Sequence, residues 1–458
     1  MTAPVFHNVL ESIGNTPLLE VKHIDTGPCQ LFLKLENQNP GGSIKDRIGK
    51  SMIEAAEEDG SLKPGGTIVE ATAGNTGLGL ALVAQQKGYR MVIVVPDKMA
   101  QEKIFHLKAL GCEVRLTRSD VGKGHPEYYQ DMAQRIAEEE GGFFVNQFGN
   151  PANPKAHETT TGPEIWEQMD HDLDAVVCGV GSGGTITGLG RYFAKVSPET
   201  QMILADPEGS ILAHYVETGE VSDDVGSWIV EGIGEDFVPE VSDLSFAKKA
   251  YSIPDAEALL TGREVLSHEG VLPGSSSGTL IAAALRFCRE QSEKKRVVTF
   301  VCDSGNKYLS KMYNDYWMID QGYIEREQRN DLGDLISRRH QEHATVTARP
   351  NDTLLQAYGK MKLYDISQLP VLDEDSKVVG LIDEEDILFA VLEDEENFKQ
   401  NVSETMTRRL ETVQADASLS ALTDIFNKGY VAIVLDGEKF LGLITRIDLL
   451  NHLRRRMK

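Results

Sequence analysis

The sequence predicts an α/β protein in two parts: a large doubly wound domain with mostly parallel strands, then a smaller α+β tail. Three observations predict it. Residues 11–330 alternate short β-branched runs with longer amphipathic segments, the pattern of strand–helix–strand units. Glycine-rich loops stand where strands give way to helices. Beyond about residue 330 that texture stops, and the remainder of the chain repeats itself once.

In chain order, Gln30–Glu36 reads as a strand and Asn37–Gly42 as a turn. A helix begins near Ser43, with Ile48, Met52, Ile53 and Ala56 at helical spacing. Further strands are expected at Gly66–Glu70, Arg90–Val95, Glu113–Leu116, Ala175–Gly179, Met202–Ala205 and Arg296–Cys302. Ligands of such sheets bind beyond the carboxyl ends of strands, where loops open new helices. Four loops qualify: the turn before Lys45, Thr72–Gly77, Gly181–Thr185 and Gly274–Gly278. The charged stretch Glu325–Asp331 suits a linker. The chain is therefore divided into residues 1–325, a linker at 326–342 and a tail at 343–458.

Composition narrows the functions open to the chain. Its 458 residues carry 46 Lys and Arg against 71 Asp and Glu, a net charge of −25. That charge disfavours nucleic acid and anionic membranes as partners. No apolar run reaches the roughly 18 residues of a membrane helix, and the start lacks the basic and apolar regions of a signal peptide. Cys29, Cys112, Cys178, Cys288 and Cys302 are scattered without C-x-x-C spacing. Neither a metal site nor a redox pair is expected, and a reducing cytoplasm fits.

Lys45 falls in the first turn of its helix, where the dipole disfavours an ammonium and makes an amine nucleophile easier to form. Most lysines so placed are plain solvated charges, so the surrounding residues decide. Gly179-Val180-Gly181-Ser182-Gly183-Gly184 follows a strand and opens a helix, offering N–H groups to an anion. It matches G-x-G-x-x-G formally, and Asp206 could pose as the ribose carboxylate of a dinucleotide site. Thr72-Ala73-Gly74-Asn75-Thr76-Gly77 reads as a helix cap or as a loop able to hold a carboxylate. Pro273-Gly274-Ser275-Ser276-Ser277-Gly278 reads as a capped helix start.

Together, Gly41-Gly42-Ser43-Ile44-Lys45-Asp46-Arg47 and these loops resemble the fold-type II pyridoxal-phosphate enzymes of the cysteine synthase and cystathionine β-synthase group. Asn146-Gln147, Asn153–His157, Asp206–Ser210 and Asp303–Tyr308 extend the match over the first 325 residues. The resemblance implies that Lys45 holds the cofactor's aldehyde and acts as the catalytic base. Gly181, Ser182, Gly183, Gly184 and Thr185 would hold its phosphate, Asn75 its phenolic oxygen and Ser276 its ring nitrogen. Thr72, Ala73, Gly74, Thr76 and Gln147 would hold the substrate carboxylate, although the family often has Ser or Thr where Ala73 stands. Glu231-Gly232-Ile233-Gly234 favours the cystathionine-forming side of the group, with Glu231 and Gly232 near the second substrate. Glu235 departs from the tyrosine frequent among such relatives. The expected reaction joins serine and homocysteine, with hydrogen sulfide released when cysteine replaces serine. The expected assembly is a homodimer, and no haem is expected. Cysteine synthase, a nicotinamide-dependent oxidoreductase and a catalytically idle ligand sensor are the alternatives.

The tail repeats Asp352-Thr353-Leu354…Val379-Gly380-Leu381-Ile382-Asp383-Glu384-Glu385-Asp386 as Ala417-Ser418-Leu419…Leu441-Gly442-Leu443-Ile444-Thr445-Arg446-Ile447-Asp448. Each half is expected to be a helix, two strands and a helix, and the pair resembles a tandem of CBS domains, a Bateman module. The resemblance places an adenosyl ligand at Thr445 and Asp448. The acidic run Asp383–Asp386 would repel a phosphorylated nucleotide from the first half, leaving at most one site per chain. S-adenosylmethionine, being cationic, fits the charge better than AMP or ATP. A purely structural or dimerising tail is the alternative.

Overall fold

The computed structural model describes residues 5–72, 74–97, 101–121 and 124–455, in two units, Met1–Tyr313 and Asn314–Lys458. In the first unit the strands are β1 (Leu18–Glu20), β2 (Gln30–Lys34), β3 (Thr67–Ala71), β4 (Arg90–Pro96), β5 (Glu113–Thr117), β6 (Phe143–Phe144), β7 (Ala175–Gly179), β8 (Gln201–Pro207), β9 (Ala247–Ile253) and β10 (Arg296–Phe300). They sort into two sheets, ordered β1-β2-β10-β7-β8-β9 and β5-β4-β3-β6. Apart from the antiparallel pair β1–β2, every pairing is parallel. Val92, Ile93, Val94 and Val95 in one sheet, and Val176, Val177 and Cys178 in the other, are wholly buried. Helices therefore cover both faces of these central strands, as unbroken apolar runs require.

Each expected strand forms, Ala175–Gly179 with its bounds unchanged and the others with one or both ends moved by at most two residues. The run at Arg296 stops at Phe300, because Cys302 and Asp303 turn away to meet the segment before Lys45. Cys302 O accepts from Ile44 N–H at 2.8 Å, and Ser43 bridges Asp303. The first helix starts at Lys45, two residues later than the spacing suggested. It crosses the helix Asn75–Lys87 at very close range. A Cβ on Gly79 would lie 2.6 Å from Lys45 O, and one on Gly49 would lie 2.7 Å from the Gly79 carbonyl carbon. This glycine contact sets the Lys45 backbone directly against the helix that begins at Asn75.

In the second unit the first repeat comprises the helix Leu354–Tyr364, β11 (Gln368–Leu372), β12 (Val378–Asp383) and the helix Glu384–Glu393. The second comprises β13 (Thr412–Gln414), the helix Leu419–Asn427, β14 (Ala432–Asp436), β15 (Lys439–Ile444) and the helix Arg446–Arg455. β13 is additional to the expected pattern and pairs parallel to β14, while β11–β12 and β14–β15 are antiparallel. Leu372, Ile433 and Phe440 form a small core shared by the two repeats. The stretch 326–342, expected as a linker, contributes Leu332, Leu335 and Ile336 to the core of the second repeat.

Candidate active site

A cavity of about 250 Å³ lies at the carboxyl ends of the parallel strands of the first unit. Lys45, Thr72, Gly74, Asn75, Thr76, Gln147, Gly181, Ser182, Gly183, Gly184, Thr185, Glu231, Gly232 and Ser276 all line it. Ala73 lies outside the described residues. Residues far apart in sequence meet here because the loops after β2, β3, β6, β7 and β10 converge, as parallel sheets dictate.

Desolvation pushes the Lys45 ammonium below the usual lysine range, although Cys302, Asp303 and Glu235 oppose the shift electrostatically. Two residues along, the Arg47 guanidinium is clasped between Glu36 Oε2 at 2.8 Å and Glu164 Oε2 at 2.7 Å. Lys34 Nζ meets the same Glu164 at 2.9 Å. This buried network pins the helix that carries Lys45.

Asn75 is held at both ends of its amide. Nδ2 donates to Asp303 Oδ2 at 2.9 Å, and Oδ1 accepts from Lys307 Nζ at 2.6 Å. Tyr308 donates to the same Asp303 oxygen at 2.9 Å. Thr76 Oγ1 donates to Gln147 Oε1 at 2.7 Å, joining the loops after β3 and β6. Behind them, burial raises the Glu70 carboxyl to about 7, and its two oxygens accept from Ala71 N–H and Gln147 N–H.

Gly183, at φ +85°, caps the helix Gly184–Val196. A Cβ there would lie 2.4 Å from Ser242 Cβ, so the tight turn needs glycine. Asn153 Nδ2 donates to Ser182 Oγ at 2.9 Å, which leaves the Ser182 proton available. Thr185 Oγ1 contacts His157 Nε2 at 3.3 Å, and the Nδ1 of that ring contacts Thr161 Oγ1 at 2.9 Å. Burial, reinforced by Lys45 and Arg47, lowers His157 to about 3, so the ring is neutral. Asp206, by contrast, is wholly buried and accepts from Ala213 N–H at 2.8 Å. It caps its own following helix and is no ribose ligand.

Glu231 lines the cavity with its carboxylate already paired. Its oxygens pair with Lys103 and with Lys311, the latter at 2.7 Å. Burial alone would raise this carboxyl, but the two ammonium groups outweigh it and hold it below the ordinary range. Neither lysine was singled out from the sequence, since they stand 128 and 80 residues from Glu231. Cys302 was also missed as a site residue: it lines the cavity beside Ser276 and Lys45.

A family model described as pyridoxal-phosphate dependent enzyme matches residues 9–303, and the CBS domain model matches 336–393 and 402–455. Cystathionine beta-synthase of Dictyostelium discoideum is 35% identical over 98% of this chain and 92% of its own length. That of Saccharomyces cerevisiae is 34% identical over 98% of each. The chain belongs to the cystathionine beta-synthase family. Among solved structures, a hydrogen sulfide-producing enzyme from Fusobacterium nucleatum is similar, at 35% identity and TM-score 0.62. It covers 67% of this chain and is itself matched over 100%. O-ureido-L-serine synthase, at 32% identity and TM-score 0.63, is matched over 71% of this chain and 98% of its own.

The cavity fits the cofactor of this family. A monoanion or dianion needs several N–H donors at a helix start, and the first turn of the helix Gly184–Val196 supplies N–H groups without intrahelical partners. The Ser182 and Thr185 hydroxyls stand beside them, and Lys45 is the amine that could hold an aldehyde. No helix among the described residues is long and apolar enough to cross a membrane.

Proposed function

We propose that the chain condenses L-serine with L-homocysteine to give L-cystathionine and water. Bound pyridoxal phosphate would supply the electron sink for the charge left at Cα. Lys45, its ammonium destabilised by desolvation, is the base that takes the Cα proton and then returns a proton to the departing hydroxyl. The N–H groups and hydroxyls of Thr72–Thr76, with Gln147, hold the substrate carboxylate. Gly181 to Thr185 hold the phosphate. Asn75 keeps one amide hydrogen for the phenolic oxygen, because Asp303 and Lys307 fix which end faces which way. Ser276 offers the ring nitrogen a neutral hydroxyl rather than a carboxylate, which suits replacement at Cβ. Glu231, through Lys103 and Lys311, and Gly232 border the space for the second substrate. Cysteine in place of serine would release hydrogen sulfide by the same route.

The observation that carries this reading is that the lysine, the carboxylate loop, the phosphate loop and the Ser276 hydroxyl share one cavity. The test is cystathionine formation by the purified protein from serine and homocysteine. Absence of product from either serine or cysteine would refute it. Ser276→Asp is expected to change the cofactor's absorption and slow replacement; an unchanged spectrum would remove Ser276 from the ring nitrogen.

Pyridoxal phosphate is the one cofactor this reading requires, with no haem. A cytoplasmic homodimer is the assembly it implies. In the tail, the reading places at most one adenosyl ligand per chain, at Thr445 and Asp448, supported by the intact Thr445-Arg446-Ile447-Asp448 run.

A further inference from the structure

The loop that carries Glu231 presents a second carboxyl to the same cavity four residues on, at Glu235. The two side chains differ in their partners. Glu231 is matched by two ammonium groups, Lys103 and Lys311. The Glu235 carboxyl makes no ion pair or hydrogen bond among the described residues, and the nearest influences on it are Asp236, Lys45 and Asp206. Its backbone is nevertheless firmly placed. The Ser210 hydroxyl accepts from Glu235 N–H and donates to Glu235 O, both at 3.1 Å, and Ile211 N–H donates to the same carbonyl at 3.1 Å. Gly234, at φ +84° against Trp228 and Pro207, fixes the turn that points the residue inward. An acidic side chain held in position over a cavity, with Lys45 near enough to be felt but no cation bonded to it, is a receptor for a cationic group of a ligand.

Resting on the reading of the chain as a cystathionine-forming enzyme, we infer that Glu235 binds the α-ammonium of the second amino-acid substrate and selects amino-acid thiols over simple ones. Glu231 is the poorer candidate, because an incoming ammonium would have to displace two lysines. Burial and Asp236 raise the Glu235 carboxyl to about 8, consistent with a group that ionises fully only when a cation arrives beside it. Glu235 is a specificity residue in this account, and the Cα proton remains the business of Lys45.

The decisive pair of probes is homocysteine and its des-amino analogue γ-mercaptobutyrate, with sulfide as a thiol that carries neither group. For Glu235→Gln, KM for homocysteine should rise roughly tenfold or more, the scale of one charge-assisted hydrogen bond, with kcat little changed. Kinetics with γ-mercaptobutyrate and sulfide should stay near wild type, and Glu235→Asp should recover part of the homocysteine affinity. An equal loss for all three thiols, or no loss for homocysteine, would overturn the inference. If Glu235→Gln does not fold, the wild type decides, since equal kcat/KM for homocysteine and γ-mercaptobutyrate would also overturn it. Failure of the underlying reading looks different: the wild type would form no product with homocysteine, whether or not it turns over sulfide.

Discussion

The loop after β7 and the loop after β15 both set hydroxyl-bearing residues at the start of a helix, yet they differ in what is left over. At Ser182 the hydroxyl accepts a hydrogen bond from Asn153, so its own proton can still be given to a ligand. At Asp448 both oxygens are engaged from within the tail. Oδ2 accepts from Thr445 N–H at 2.7 Å and from Thr445 Oγ1 at 2.6 Å, and Oδ1 accepts from Ser337 Oγ. The first repeat shows the same self-sufficiency, since Asp383 and Asp386 cap each other's backbone N–H groups. A polar motif at a helix start becomes a binding site when capacity remains after the fold has satisfied itself. Among the described residues, the first unit leaves capacity in the cavity around Lys45, and the tail leaves little at its two motifs.

The largest expected effect tests the cavity. Lys45→Ala should lower turnover by orders of magnitude while leaving a protein that still binds pyridoxal phosphate. No borohydride-reducible bond to the chain should then form. A variant keeping more than a tenth of wild-type activity would show that the cavity's chemistry lies elsewhere.

The next effect concerns groups that are fully engaged. Burial alone would raise the Glu164 carboxyl, but Arg47 and Lys34 outweigh it and hold it down at about 2. A carboxyl depressed in the folded state stabilises it above the ordinary carboxylate range, and that contribution is lost as pH falls toward the folded value. Glu164→Gln should therefore cost about 3 kcal/mol at neutral pH. The gap from wild type should close as pH approaches about 2. Denaturant unfolding across that range measures it; a gap independent of pH would mean that packing rather than charge holds Glu164.

Packing supplies a smaller effect whose sign is informative. Gly→Ala inside a helix ordinarily stabilises by up to about 1 kcal/mol. At Gly79 the new Cβ would lie 2.6 Å from Lys45 O, a backbone atom that cannot swing away. Gly79→Ala should instead destabilise by about 1–3 kcal/mol and displace Lys45, so activity should fall with Tm. A more stable, fully active variant would show that the two helices can part without disturbing the site.

Legibility in the sequence followed the same physics. The glycine loops and the long apolar strands could be read because they obey local rules: φ near +85° at Gly183, and β-branched runs such as Val92–Val95. β9 escaped notice because it is an edge strand whose Lys248 and Lys249 are exposed, which hides the apolar pattern. β6 is two residues long and has no pattern to show. The sorting of strands into two sheets, and the pairing of Glu231 with Lys103 and Lys311, depend on contacts across long stretches of chain, and no local spacing encodes them. Asp206 shows the converse hazard, since its position suited a ribose ligand while its burial reserves it for a helix cap.

The smallest expected effect tests the tail. If Asp448 serves only its own helix, Asp448→Ala removes acceptors from Thr445 and Ser337 and should cost on the order of 1 kcal/mol, the usual value of a cap. If an adenosyl ligand binds there, its ribose must take the place of the Ser337 hydroxyl on Asp448. Binding would then be weakened by that competition, and Ser337→Ala should strengthen it. Calorimetry of the full chain with S-adenosylmethionine, AMP and ATP separates the two. Heat that is lost in Asp448→Ala and enhanced in Ser337→Ala would make the tail a ligand site. Absence of heat from all three, with the modest loss of stability alone, would leave Asp448 as a cap and the contrast between the two loops complete.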